Sequence, residues 1–506
     1  MTESNALPSS IVVGVIGAGA MGSGIAAVAA NAGHEVLLYD ADPAAIQRAL
    51  QALAKEYLRQ VEKGRLDAAE CDARRSRIRA AESIEALAPC GLVVEAIVEN
   101  LQVKVAVLKQ VQAVVGAAAI IGTNTSSISV TAIGASLPYP GRLVGMHFFN
   151  PAQILPLVEV VSGKETDPAV ALIIYDTARA WGKAPVYCAS TPGFIVNRVA
   201  RPFYGEALRL LSEGAADPAT IDAILRDCGG FRMGAFELMD MIGHDVNYAV
   251  TCSVYDAFHQ DPRFKPSLLQ KELVDAGWLG RKNGRGFYDY AVAPPEPADA
   301  APAPAPREVL IEGDLGCAAV LVEMARASGM VVRQGPGSGH LRIDGVRVAL
   351  TDGRAATART AEEGEPVVLF DLALDYARCA RIAVAFADQA DGNGRAPVVG
   401  FFQQLGKAVS LIDDAPGMVV MRTVAMLANE AADAVQQRIG SAADIDLAMC
   451  KGVNYPRGPL EWADAVGVRS LCTVLEHMAA YYGEDRYRVS PLLKRRALTG
   501  GALRAA

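Results

Sequence analysis

The chain has 506 residues, 51% hydrophobic and 21% charged, with a formal net charge of −8; it is too long for one core and implies roughly three or four ordinary globular domains. The acidic balance argues against nucleic acid or an anionic membrane as main partner, although a local basic patch could still hold an anionic ligand. Nine scattered cysteines without a CxxC pair and six histidines without HxxxH or HExxH spacing argue against a disulfide framework and a zinc site, so reduced thiols, no metal and a cytoplasmic protein are expected.

The first ten residues carry Glu3 and no cationic segment before the apolar run, unlike a signal peptide, and no apolar run reaches the roughly 18 residues of a membrane span. Ile11 to Ile16 is a short apolar run followed at once by Gly17-Ala18-Gly19-Ala20-Met21-Gly22 and a small-residue helical stretch to Ala32. This reads as strand, glycine-rich turn, helix. Gly17 allows the tight turn, Gly19 lets backbone approach a pyrophosphate, and Gly22 lets the helix lie close on the sheet, with the anion at the helix N-terminus. Gly17, Gly19, Ala20, Met21 and Gly22 are the candidate cofactor-binding residues of this turn. A second strand, Glu35 to Tyr39, ends at Asp40, where a carboxylate bonds adenosine ribose hydroxyls and repels a 2′-phosphate. NAD is favoured over NADP. A βα turn that merely contains glycines is the competing explanation.

From Pro43 to about Ala81 the pattern is helical, and Lys55, Arg59, Lys63, Arg65, Arg74, Arg75, Arg77 and Arg79 crowd into two predicted helices around Gly64. A solvated charged face accounts for such a cluster; presentation to an anionic ligand does too. A strand Leu92 to Ala96, a helix Leu101 to Val115 carrying Lys104, and a strand from Ile120 to Gly122 lead into Thr123-Asn124-Thr125-Ser126-Ser127. Polar groups at the carboxyl end of a parallel strand lie where open α/β sheets bind ligands, while Ser126 or Ser127 could equally cap the next helix.

Arg142 to Val161 reads as a strand ending at His147, a turn at Asn150-Pro151, and a second strand carrying Glu159 among Leu157, Val158, Val160 and Val161. An imidazole at a strand end and a carboxylate on the next strand can come within hydrogen-bonding reach. One ring nitrogen would then be held by Glu159 and the other left open to a substrate proton, the logic of a general base. Taken alone, the pair fits a core histidine satisfied by a backbone oxygen equally well. A helix to Trp181 and a strand Ala184 to Cys188 follow. After TPGFIVNRV the signals are helical: Gly193 to Ser212, Pro218 to Cys228, Phe236 to Phe258 and Ser267 to Ala276.

Prolines and alanines then form a semi-rigid extended linker, and Glu308 to Leu369 has the short apolar runs of a small α/β unit without a full GxGxxG. Beyond it the chain repeats itself. A shift of 224 residues matches Gly182-Lys183 with Gly406-Lys407, Pro192-Gly193 with Pro416-Gly417, Arg198 with Arg422, Glu206 with Glu430, and Asp240 with Asp464, with no gap. The expected architecture is an α/β Rossmann domain (1–190), an all-α domain (191–293), the linker (294–306), a small degenerate Rossmann-like α/β domain (307–405), and a second all-α domain duplicating the first (406–506).

GAGAMG, Asp40, NTSS, HFFNP, LVEVV and TPGFIVNR, in this order, resemble the (S)-3-hydroxyacyl-CoA dehydrogenase family over residues 11 to about 290. The length and duplicated second half look like the family's long bacterial form, associated with phenylacetate breakdown. The resemblance implies NAD-dependent oxidation of a 3-hydroxyacyl-CoA, with 3-hydroxyadipyl-CoA as substrate; a short-chain or general fatty-acid substrate, or a non-catalytic NAD-binding protein, are the alternatives. It implies His147 as catalytic base and Glu159 as its orienting carboxylate, with Ser126 and Asn197 binding the reacting part of the acyl-CoA. Glu99, Lys104, Asn124 and Asn150 match positions lining the nicotinamide half. The family's basic helical arm clamps CoA, which gives Lys55, Arg59 and Lys63 a phosphate-binding role. The usual YPMGPFE appears as Phe231-Arg232-Met233-Gly234-Ala235-Phe236-Glu237, so two prolines are gone and Arg232 is new. Short members resemble only the first half and pair through their helical domains, so the second helical domain is expected to supply that partner internally as a pseudo-dimer, with further homo-oligomers left open. Asn197 falls on Met421 in the repeat register, which implies one active site per chain.

Overall fold

The computed structural model describes residues 5–390 and 394–505; Glu3 lies outside them. They form two compact units, one running to Arg198 and taking in Gln437–Val453, the other made of Val199–Gln436 and the chain from Asn454 onward.

In the first unit, β1 (Val12–Ile16), β2 (Val36–Tyr39), β3 (Ile78–Ala80), β4 (Cys90–Glu95), β5 (Ile120–Thr123), β6 (Leu143–Phe148), β7 (Leu157–Ser162) and β8 (Ala184–Ala189) form one sheet ordered β3-β2-β1-β4-β5-β6-β7-β8. Every neighbouring pair is parallel except β6 with β7. Strands of such a sheet are covered on both faces and so read as continuous apolar runs; β6 is buried at every position. Strand order reverses between β1 and β4, which places a ligand crevice at their carboxyl ends. The two helices expected around Gly64 are Pro43–Glu62 and Ala68–Ser76, but β3 corrects the helical reading to about Ala81: Ile78–Ala80 is a strand that pairs with β2. A strand of that length is too short to register as a period. Helix Ala442–Gly452, assigned by sequence to the second all-α domain, packs here against β7 and β8. Gly452 permits it, since a Cβ there would lie 2.6 Å from Leu157 Cδ2.

The second unit opens with helices Arg201–Ser212, Pro218–Asp227, Ala235–Ile242, His244–Ala257 and Leu268–Asp275. The helix expected from Phe236 to Phe258 is broken at Gly243, whose φ of +98° no right-handed helix accommodates. β9 (Glu308–Glu312), β10 (Val331–Gly335), β11 (His340–Ile343), β12 (Val346–Leu350), β13 (Val367–Phe370), β14 (Arg381–Phe386) and β15 (Ala408–Ile412) form a sheet ordered β10-β9-β11-β12-β13-β14-β15. It is mixed: β11 runs antiparallel to both neighbours, and β13 antiparallel to β14. Residues 294–306 take no regular structure, yet they are docked. Ala300 N donates to Val409 O and Ala303 N to Gln403 Oε1, each at 2.8 Å, and Asp299 pairs with Arg381.

Helices Val420–Gln436, Pro459–Val466, Val468–Tyr482 and Pro491–Thr499 complete this unit. Buried ion pairs join the two helical sets. Arg422 Nε and Arg486 Nε donate to opposite oxygens of Glu206 at 2.8 and 2.9 Å, and Arg263 Nη1 meets Glu430 and Asp433 at 2.8 and 2.6 Å. Among the described residues, no helix is long and apolar enough to cross a membrane, and no group of His, Cys, Asp and Glu is arranged to hold a metal ion.

Candidate active site

The turn after β1 fits a dinucleotide. Gly17 has φ +100°, and a Cβ on it would lie 2.5 Å from Ala96 O; one on Gly22 would lie 1.8 Å from Gly17 O. Those glycines are required by the packing itself. A Cβ on Gly19 would meet nothing within 4 Å, which leaves open space at the start of helix Ala20–Asn31. No side chain caps that helix, so its first N–H groups remain available to an anion. Ala20 is exposed and Met21 half-buried beside it. Asp40 accepts from Ala18 N at 2.7 Å and from Asp42 N at 2.9 Å, which fixes its carboxylate against the same turn.

A second group forms where β4 and β5 end. Glu99 Oε1 accepts from Thr125 Oγ1 at 2.7 Å and from Ser126 N, Ser127 N and Ser127 Oγ at 2.9 Å. Lys104 Nζ lies 2.7 Å from Glu95 Oε1 and 3.2 Å from Glu99 Oε2. Burial alone would raise the Glu99 carboxyl; the Thr125 hydroxyl, the Lys104 ammonium and the Ser127 donors outweigh it and bring it down to about 2. Lys104 is 1% exposed, so any effect on a ligand passes through Glu99. Sequence reading missed Glu95, which is fully buried and also receives Thr123 Oγ1 at 2.7 Å and Ile97 N at 2.7 Å. Its signal was a carboxylate within the apolar run GLVVEAIV.

Asn124 connects this group to the histidine: its Oδ1 accepts from Phe148 N at 2.8 Å. His147 pairs across the β6–β7 ladder with Glu159, and its Nδ1 lies 2.6 Å from Glu159 Oε2. The other oxygen, Oε1, accepts from Ile195 N at 3.0 Å and Val196 N at 2.9 Å, at the start of helix Val196–Val199. A carboxylate oxygen in this place accepts a hydrogen bond from Nδ1–H, the tautomer that leaves Nε2 as an acceptor. The ring packs beside Phe149 and Phe194, with centroids 4.6 and 5.7 Å away. Asn197, one residue beyond the two N–H donors, is half-buried, as is Ser126; Asn150 is exposed and precedes the Pro151 turn.

The basic cluster divides in two. Arg74 and Arg77 pair with Glu70, Arg75 with Asp72 and Arg79 with Glu35. Lys55, Arg59 and Lys63 are exposed at four-residue spacing along helix Pro43–Glu62 and its cap; among the described residues, only Arg59 of the three meets a carboxylate, Glu56 at 3.9 Å.

A mostly parallel sheet with a glycine turn, a carboxylate held against that turn at the end of the second strand, and a buried imidazole–carboxylate pair has the makings of an NAD-dependent dehydrogenase. The 3-hydroxyacyl-CoA dehydrogenase NAD binding domain matches residues 12–191, the C-terminal domain of the same enzymes matches 193–290 and 417–505, and the reduced Rossmann-fold domain of 3-hydroxybutyryl-CoA dehydrogenase matches 348–416. The 3-hydroxyadipyl-CoA dehydrogenase of Escherichia coli K12 is 45% identical over 486 residues, covering 96% of this chain and 97% of its own. A probable 3-hydroxybutyryl-CoA dehydrogenase of Deinococcus radiodurans is 41% identical over 55% of this chain and 99% of its own. A crystal structure of 3-hydroxybutyryl-CoA dehydrogenase from Escherichia coli K12 superposes with a TM-score of 0.90 at 42% identity, covering 97% of this chain and 99% of that one. The chain belongs to the 3-hydroxyacyl-CoA dehydrogenase family and is an NAD-dependent oxidoreductase.

Proposed function

We propose that the chain oxidises 3-hydroxyadipyl-CoA to the 3-oxoacyl-CoA in the cytoplasm, as a step of phenylacetate breakdown. The observation that carries the chemistry is the 2.6 Å bond between His147 Nδ1 and Glu159 Oε2. His147 Nε2 takes the substrate hydroxyl proton, and Glu159 stabilises the imidazolium while two helix N–H groups hold its other oxygen in place. Ser126 and Asn197 hydrogen-bond the reacting part of the acyl-CoA, a positioning role. Gly17, Gly19, Ala20, Met21, Gly22 and Asp40 hold NAD, with Glu99, Asn124 and Asn150 bordering its nicotinamide and Lys104 acting through Glu99. Bound NAD supplies the hydride acceptor. Lys55, Arg59 and Lys63 take the CoA phosphates. Nine free cysteines suit a reducing compartment.

The near-full-length likeness to the 3-hydroxyadipyl-CoA enzyme supports the dicarboxylic substrate. An equally extensive likeness to the crystal structure of the Escherichia coli 3-hydroxybutyryl-CoA dehydrogenase supports 3-hydroxybutyryl-CoA as the second reading. NADH formation with the two thioesters separates them. The expected result is kcat/KM at least ~10-fold higher for the adipyl compound; equality or reversal favours the second.

We also infer that the helical domain is duplicated within the proposed boundaries 191–293 and 406–506, flanking the linker and the 307–405 sheet domain, and that the copies pair as an internal pseudo-dimer. Support comes from register mates. Helix Pro218–Asp227 packs on β14, and its mate Ala442–Gly452 packs on β8. Each helical copy thus covers the sheet that belongs to the other.

A further inference from the structure

The helical part of the second unit holds a half-open cavity of about 920 Å³, lined by Arg201, Tyr204, Leu208, Thr251, Phe264 and Leu269 among others. The arginines along it differ in their partners. Arg209 pairs with Glu213 and Glu484, Arg263 with Glu430 and Asp433, and Arg486 with Glu206. Arg201 is 7% exposed and, among the described residues, pairs with no carboxylate. Its Nη1 donates to Thr251 Oγ1 at 3.2 Å, its Nε has no partner, and its guanidinium lies 4.8 Å from the centre of the Tyr204 ring. Burial holds the guanidinium below its ordinary value, and the only ionisable groups opposing that are the phenols of Tyr204 and Tyr455. The Tyr455 hydroxyl is itself buried without a hydrogen bond.

A guanidinium keeps its charge at any relevant pH, so burying it without a counter-ion disfavours the free fold. Its planar N–H fork matches a carboxylate bidentately. Glu213 and Glu484, which also line the cavity, are paired with Arg209, while Leu208, Phe264 and Leu269 suit a methylene chain. We propose that this cavity binds an aliphatic carboxylate, with Arg201 as its counter-ion. A free aliphatic dicarboxylate supplies that chemistry. Arg232, the cation that stands out in the sequence, is exposed and lies outside this wall.

The test uses the full chain, with adipate as probe, followed by calorimetry and thermal melting of wild type, Arg201→Met and Arg201→Lys. Adipate is expected to bind wild type and raise its melting temperature. Arg201→Met should bind at least ~10-fold more weakly, and Arg201→Lys in between. Without ligand, Arg201→Met should melt no lower than wild type, because an unpaired buried charge has been removed. The proposal is overturned if adipate binds Arg201→Met as tightly as wild type. It also falls if Arg201→Lys restores nothing that Arg201→Met loses, or if wild type binds no adipate.

Discussion

At the scale of single residues, the His147–Glu159 pair was legible because the ladder places both on facing strands, but what holds Glu159 was not. Its second oxygen is bonded by backbone N–H groups of Ile195 and Val196, and a backbone donor leaves no mark on residue type. The arrangement predicts that His147→Gln keeps NAD binding but slows oxidation by roughly 10²-fold or more, because the substrate hydroxyl proton is left without its acceptor. Glu159→Gln should still bind NAD while turnover drops by roughly 10²-fold or more, as when a base loses its orienting charge. Near-normal turnover would remove the dyad from the mechanism. Asp40 carries a separate expectation. Held by Ala18 N and Asp42 N, it should exclude the 2′-phosphate of NADP, and Asp40→Ser should narrow the preference for NAD in parallel KM measurements. A wild type that uses both cofactors equally would contradict this.

At the scale of elements, apolar period and glycine chemistry located most strands and helices, and failed where tertiary contacts decide. Nothing in the helical pattern of Phe236 to Phe258 forced a break; Gly243 supplies one, and a Cβ there would lie 2.8 Å from Lys282 Nζ. Glu206 is a similar case. It sits in an amphipathic helix where a charge would normally face water, yet it is fully buried between Arg422 and Arg486. Burial would raise its carboxyl, but Arg486 and Arg422 outweigh that and bring it from 4.5 down to about 2. A carboxyl lowered by folding contributes stability above its unfolded value and loses it as pH falls through the folded one. Wild type should therefore lose roughly 3 kcal/mol from this group between pH ~4.5 and ~2. Glu206→Gln leaves two guanidinia without their shared carboxylate and should cost about 3–5 kcal/mol at neutral pH, with a flatter acid dependence. Urea unfolding across that range measures both; a variant as stable as wild type at pH 7 would mean the pair is dispensable.

At the scale of the whole chain, the repeat register already set Met421 against Asn197 and so implied copies of unequal function. The second sheet makes the inequality physical. Asp371 follows β13, and its N donates to Ala383 O at 3.1 Å, in the antiparallel ladder that corresponds to β6–β7. Its carboxylate accepts from Val419 N, Val420 N and Met421 N at 2.9, 2.7 and 3.0 Å. These are the register mates of Ile195, Val196 and Asn197. One carboxylate therefore caps the helix directly, on the strand where the first copy has its imidazole, and no base is left between them. Equilibrium titration should give one NAD per chain, and Met421→Asn should add no activity. Removing the second copy should also expose the first. A chain ending at Ala293 loses helix Ala442–Gly452 from β7 and β8 and loses Arg422 and Arg486, the cations paired with Glu206. Such a chain should aggregate or self-associate through the uncovered apolar faces, as sedimentation would detect. If it sediments as a monomer with full specific activity, the second helical copy is not an internal partner.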